Sequence, residues 1–252
     1  MKYKIYPMNM GENAEAFDMN SLIYRYPIGQ ESYSIGNGFF GVRDENGKWF
    51  LVDTGTGSNE ECMSMGKPSV REPRGFLELL AEHGIAPEEI ETVIMTHLHW
   101  DHAHNLDKLP NARFYVQRAE LNNAVCPNKH ERPTYGYMGL PGFMTPRWMR
   151  VADHMVCLDG DTELMPGVRC VFTPGHTAGS QTVLIDTAEG TYALVGDHYY
   201  FARNFEEDAL IGVFCSHDDW YRSSAKLKYL GIDGAHVITT HDHVTYEHGV
   251  YG

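Results

Sequence analysis

The sequence predicts an α/β fold of two β-sheets with helices outside them. Three observations carry that reading. Strand-like runs fill the first part of the chain, and strands mixed with helices fill the rest. Two helical patterns each stop at a glycine, Gly84 and Gly231. Ligand-type side chains recur just after strand patterns, as if a sheet edge presented them.

The elements follow in order. Asn20 to Ile28 and Tyr33 to Val42 read as strands, with Gly36, Asn37 and Gly38 expected as a bulge or loop. Lys48 to Val52 is a strand running into the turn Asp53-Thr54-Gly55, and Asn46-Gly47 before it is a hairpin signal. The segment from Gly57 to Arg74, rich in Met, Ser and Pro, reads as irregular. Phe76 to His83 has helical spacing, and Pro87-Glu88-Glu89 suits a short helical turn. Glu91 to Met95 is an apolar, β-branched run expected to be a buried strand. Asn111 to Val116 reads as a strand and Arg118 to Ala124 as a helix. Between Cys126 and Trp148, Pro127, Pro133, Pro141 and Pro146 forbid a long helix. Tyr135, Tyr137, Met138, Leu140, Phe143, Met144 and Trp148 give this 126–148 loop apolar weight. It reads either as a lid or pocket wall or as an aromatic cluster packed under a surface loop. Strand patterns return at Met155 to Leu158, Val168 to Thr173, Thr182 to Asp186 and Thr191 to Val195. Asp218 to Leu230 has the composition of a helix, and Ala235 to Thr239 is the last strand.

A chain of 252 residues without internal repeats or low-complexity linkers is expected to form a single domain over residues 1–252. The formal charge of −14 argues against tracking nucleic-acid phosphates and against an anionic membrane. The first residues lack the apolar core of a signal peptide, and no stretch is long and apolar enough to span a bilayer. Cys62, Cys126, Cys157, Cys170 and Cys215 are scattered, odd in number and without close pairing, which suits reduced thiols. A cytoplasmic protein, monomeric or homodimeric, acting on a small molecule is the expectation.

The chemistry concentrates in Thr96-His97-Leu98-His99-Trp100-Asp101-His102. His97 and His99 stand two apart where a strand ends, so their rings can leave one face. Asp101 and His102 follow at an expected helix start. Imidazole and carboxylate together suit zinc, iron or manganese. Three histidines and one aspartate within six residues exceed what one tetrahedral ion draws from a single segment. Two adjacent ions are therefore expected, His97 and His99 on one, Asp101 and His102 on the other. Three later stretches repeat the pattern of a strand followed by ligand-type residues: Thr173 to Ser180 presenting His176, Val195-Gly196-Asp197, and Thr240-His241-Asp242-His243. A carboxylate can bridge two ions, which makes Asp197 the candidate shared ligand. His241 is preferred to His243 because it directly follows the strand.

This series, together with Asp53-Thr54-Gly55 after the hairpin, resembles the metallo-β-lactamase superfamily over nearly the whole chain. The resemblance implies a four-layer αββα sandwich with metals at one edge between the sheets. It implies that His97, His99 and His176 hold one divalent ion, that Asp101, His102 and His241 hold the other, and that Asp197 lies between them. Zinc is the expected metal, with manganese and iron as alternatives. Asp53 is expected to orient a ligand imidazole. Within the superfamily the chain is most similar to the N-acyl-homoserine lactonases, through the stretch 96–102, Thr173 to Thr177 with Gln181, and Tyr200 three residues beyond Asp197. That similarity implies opening of a lactone ring by a hydroxide bridging the two ions, with Asp101 handling the proton and Tyr200 assisting at the carbonyl oxygen. A thioesterase of the glyoxalase II type, or a hydrolase of another cyclic ester or amide, is the alternative. Where that subfamily has a glycine pair this chain has Ala103-His104, so His104 is expected to stand near the metals.

Overall fold

The computed structural model describes residues 2–25, 32–137 and 145–252. Its elements are β1 (Tyr3–Asn13), β2 (Phe17–Asp18), α1 (Met19–Leu22), β3 (Ser32–Tyr33), β4 (Gly36–Asp44), β5 (Trp49–Val52), α2 (Asn59–Ser64), β6 (Val70–Arg71) and α3 (Phe76–Glu82). There follow β7 (Thr92–Ile94), β8 (Arg113–Gln117), α4 (Arg118–Val125), β9 (Met155–Leu158), β10 (Thr162–Met165), β11 (Val168–Phe172), β12 (Gln181–Thr187) and β13 (Gly190–Leu194). The chain closes with α5 (Ala202–Glu206), α6 (His217–Tyr229), β14 (Val237–Ile238) and α7 (His243–Glu247).

Twelve of the strands form one hydrogen-bonded series that folds into two halves. The first half runs β1-β4-β5-β7-β8-β9, with β6 on the end of β1, and the second β10-β11-β12-β13-β14, joined where Tyr3 of β1 meets Thr187 of β12. Strand periodicity explains how the halves stack. Phe40, Val42, Phe50, Val52 and Ile94 face Val183, Ile185, Tyr192 and Leu194 in a core between the halves. Their neighbours Phe39, Leu51 and Val93 turn outward onto Phe76, Leu79 and Leu80 of α3. On the other side Leu184 and Ala193 turn outward onto Trp220 and Leu227 of α6 and Phe205 of α5. Helix, sheet, sheet and helix are the four layers of an αββα sandwich.

Several sequence expectations are corrected. The longest strand, β1, is absent from the sequence reading because Pro7 interrupts its pattern. Pro7 lies where β1 pairs with β4 alone, so one edge there is open and a missing N–H is tolerated. The expected strand from Asn20 to Ile28 begins instead as the turn of α1, whose Asp18 cap accepts the Asn20 N–H at 2.8 Å; residues 26–28 lie outside the described residues. Gly36, Asn37 and Gly38 are regular strand, and the register shift sits opposite them in β1, between Asn9 and Gly11. Their glycines serve close approach: a Cβ at Gly38 would lie 2.4 Å from the Met8 carbonyl. The segment 57–74 holds α2, closed by a Ser58/Glu61 capping box, and β6. β10 was not anticipated. Hairpin, α3, α4, β9, β11 to β13 and α6 lie within a few residues of their expected bounds. No described helix is long and apolar enough to cross a membrane, and the five cysteines carry free thiols.

Candidate metal centre

The expected ligands converge at one edge of the sandwich, where β5, β7, β11, β13 and β14 end. His97, His99, His176 and Asp197 form one cluster, and Asp101, His102 and His241 form a second, with the ligand atoms of each within 4.8 Å of one another. Asp197 also touches the second cluster, 2.9 Å from His102 Nε2 and 3.1 Å from His241 Nε2. The segment after β7 does not start a helix, as the sequence suggested. Residues 100–105 run as turns and bends, with Asn105 Nδ2 tied to the Thr54 and Thr56 carbonyls at 2.7 and 2.8 Å.

Each of four imidazoles spends its Nδ1 on a fixed partner. His97 meets the Thr96 hydroxyl at 3.0 Å, His102 meets Asp53 at 2.8 Å, His176 meets the Val213 carbonyl at 2.9 Å and His241 meets the Gly36 carbonyl at 2.7 Å. An Nδ1–H donated to such an oxygen leaves Nε2 as an acceptor lone pair aimed inward, and that of His176 meets His99 Nδ1 at 2.9 Å. Asp53 anchors this scheme. It accepts the Thr96 N–H and hydroxyl, each at 2.7 Å, besides His102. It does so with φ at 60°, a left-handed backbone that a short polar side chain tolerates at functional turns.

These donors fit divalent cations. His97 Nε2, His99 Nε2, His102 Nε2 and Asp197 Oδ1 are buried without a hydrogen-bond partner among the described residues. A lone pair of His102 faces an oxygen of Asp197 at 2.9 Å, acceptor against acceptor, an arrangement that calls for a positive charge. Burial works against charge on His102 and His241, yet Asp197 beside both raises them above the ordinary imidazole range. Burial and neighbouring imidazoles hold His97 and His99 well below it.

The clusters open into a cavity of about 230 Å³ whose wall includes Phe17, Leu22, Ile35, Trp100 and Val213. Lys67 lies at its rim, its ammonium 5.2 Å from the Trp100 ring centroid. Tyr200 lines the same cavity, its ring edge-on to His176 and His241 at 6.0 and 5.5 Å. Burial, with Asp197 and Asp101 adding to it, pushes the Tyr200 phenol well above its usual range, so it stays a hydrogen-bond donor. Tyr199 points the opposite way, onto Trp220 and Phe205. His198 stacks on Trp220 and bonds the Ser224 hydroxyl at 3.0 Å, away from the clusters. His243 turns to the Ser34 carbonyl.

His104 is a correction. It does not join the clusters but packs under Gly57, 3.4 Å from Glu61, on a second cavity of about 150 Å³ shared with Arg147 and Trp148. Its N–H is drawn to the Gly55 carbonyl at 3.2 Å, which turns the chain away from the metals. Of the 126–148 loop, Thr134 reaches the first cavity, whereas Tyr135 and Trp148 are buried in the core beneath α3 and α4. Met138, Leu140, Phe143 and Met144 lie outside the described residues. The sequence reading missed Glu120, an acidic residue of α4 buried behind the histidines; helical position alone gave no sign of it.

A four-layer sandwich with two His/Asp clusters at the strand ends defines a metal-centred fold class, that of the metallo-β-lactamases. The chain belongs to the metallo-beta-lactamase superfamily, whose sequence profile matches residues 39–241. N-acyl homoserine lactonase AttM of Azorhizobium caulinodans is 30% identical over 246 residues, covering 93% of this chain and 86% of that protein, and places the chain among the lactonases of the superfamily. Two solved structures share the fold. An N-acyl homoserine lactone hydrolase with N-hexanoyl-L-homoserine bound at its catalytic metal centre superposes with a TM-score of 0.77 at 23% identity, covering 98% of this chain and 97% of that one. The dizinc quorum-quenching lactonase AidC superposes with a TM-score of 0.69 at 15% identity, covering 95% and 87%.

Proposed function

We propose that this protein is a dinuclear metal-dependent hydrolase that opens the ring of N-acyl-homoserine lactones or related cyclic esters. The observation that carries the reading is the set of four histidines whose Nδ1 atoms are each committed to an oxygen while Nε2 faces Asp197 or its neighbours. His97, His99 and His176 are the proposed ligands of one ion; Asp101, His102 and His241 are those of the other, and Asp197 serves both. Zinc suits this imidazole and carboxylate set best. When bound, such a pair of ions acts as Lewis acid and lowers the pKa of water enough to make hydroxide available at neutral pH.

The chain's own groups do the rest. The apolar wall of Phe17, Leu22, Ile35 and Val213 accepts an acyl chain and excludes water from it. The Tyr200 hydroxyl donates to the lactone carbonyl oxygen as charge develops there. Asp101, the most open of the acidic ligands, takes up a proton and returns it to the departing ring oxygen. Asp53 holds His102 in one tautomer throughout. The product is a hydroxy acid. Residues 1–252 act as one domain, the 126–148 loop forms one side of the pocket through Thr134, and the protein works in the cytoplasm as a monomer or homodimer. The test is a panel of N-hexanoyl-homoserine lactone, simpler lactones and thioesters, with product identified as ring-opened acid. Faster turnover of the lactones supports this reading; faster turnover of the thioesters would replace it with the glyoxalase II-like alternative.

A further inference from the structure

Glu120 is the third residue of α4, and its carboxylate points into the seam behind the first cluster. Oε1 accepts the Leu98 N–H at 2.9 Å and the Tyr135 hydroxyl at 3.0 Å. Oε2 accepts the Thr177 hydroxyl at 2.6 Å, and the Gly179 N–H is a further donor. These partners are not scattered. Leu98 lies between His97 and His99, and Thr177 follows His176. Tyr135 sets its ring edge-on against His99 at 4.8 Å. A Cβ on Gly179 would come within 1.9 Å of the Glu120 nitrogen, so the loop carrying His176 sits directly on the first turn of α4. One buried carboxylate thus grips both sides of the His99–His176 pair, whose Nδ1 and Nε2 atoms approach to 2.9 Å.

We infer that Glu120 is the positioning residue of one metal site: through Leu98, Thr177 and Tyr135 it sets the spacing of His99 and His176 without touching metal or substrate. The inference rests on the dinuclear reading and divides the labour within it. His102 is held by Asp53 and His241 by the Gly36 carbonyl, so the second cluster is oriented independently of Glu120. An acceptor-only group is needed here, since every bond to it comes from a donor. A glutamine at this position fills the same space but turns an amide NH₂ toward one pair of those donors.

The experiment is a zinc competition titration of intact E120Q against a chromophoric chelator, with far-UV circular dichroism and the cobalt-substituted absorption spectrum recorded alongside. The expected result is a folded protein in which one of two ions binds about 10–100-fold more weakly, as for other groups that orient a ligand. The second ion keeps its wild-type affinity, and the cobalt spectrum changes. Wild-type affinity for both ions in E120Q overturns the inference, even if the melting temperature falls. Should E120Q not fold, T177V and Y135F each remove one donor from the carboxylate. Weakening of the same single ion by about 10-fold supports the inference at the lower end of that range, and unchanged binding in both overturns it. A wild-type protein that binds one ion at saturation would instead overturn the dinuclear reading.

Discussion

Tyr199 and Tyr200 are adjacent in sequence and opposite in setting, and the chemistry assigned to the site depends on that difference. Tyr200 faces the clusters, and removal of its hydroxyl in Tyr200→Phe is expected to lower kcat on the order of 10-fold with full metal content. That is less than the 10²–10³ typical of a lone oxyanion donor because a metal shares the task. Tyr199→Phe is expected to leave kcat unchanged; steady-state kinetics and metal analysis of the two variants decide between them. Asp53 offers a second test. Asparagine tolerates its left-handed backbone, so Asp53→Asn keeps the turn while replacing one acceptor oxygen with a donor opposite Thr96 or His102. Metal affinity is expected to fall about 10–100-fold in a chelator competition, with the fold intact. At this scale the sequence was legible for the side chains that come together at the site and much less so for what holds them. The ligands cluster as residue types after strands, where a pattern can be seen. Glu120 and the carbonyls of Gly36 and Val213 act through burial and backbone direction, which no residue type announces. His104 was misread because its direction is set by a hydrogen bond to Gly55 from outside its own segment.

The short helix α2 carries a pH signature of its own. Burial tends to raise the Glu61 carboxyl, but the Ser58 N–H, His104, the Ser58 hydroxyl and Arg147 outweigh it and hold the group at about 2. A carboxyl depressed in the folded state stabilises above its unfolded pKa and loses that contribution as pH falls through the folded value. The difference in urea midpoint between wild type and Glu61→Gln is therefore expected to be full above about pH 4.5 and to shrink toward pH 2, the window set by the two pKa values. A constant difference across that range would contradict the assignment. Elements were readable where one physical signal dominated: the Asn46-Gly47 hairpin, the strand patterns of β11 to β13, and the glycine stops after α3 and α6. They were obscured where tertiary context overrides the local signal, as at Pro7 in β1 and at the paired glycines of β4 under the ring of Tyr246. Trp148 belongs with the latter group. The sequence left it between pocket wall and packed cluster, and it is both: buried in the core with Tyr135 and lining the second cavity. Trp148→Ala is expected to cost about 3–5 kcal/mol of unfolding free energy, measured by denaturant titration.

The whole molecule places the proposed ligands, and Asp53 behind them, by topology. The first half of the sandwich supplies Asp53, His97, His99, Asp101 and His102, and the second supplies His176, Asp197 and His241. Neither half holds a complete proposed site, so metal binding is expected to be coupled to the packing of the two halves, and chelation is expected to lower the melting temperature of the entire domain in one transition. The fold class was legible because ligand-bearing turns recur after strands throughout the chain; the joining of the halves through Tyr3 and Thr187 was not, because a single parallel pairing leaves no pattern in either strand. The central claim is that two ions act together in opening a lactone. The direct measurement is the rate of N-hexanoyl-homoserine lactone ring opening as zinc is titrated into metal-free protein, with bound zinc quantified at each step. The account predicts that the rate rises to its plateau only at two bound ions per chain, and that His97→Ala and Asp197→Ala do not reach it. A plateau at one bound ion, or no ring opening at two, would contradict it.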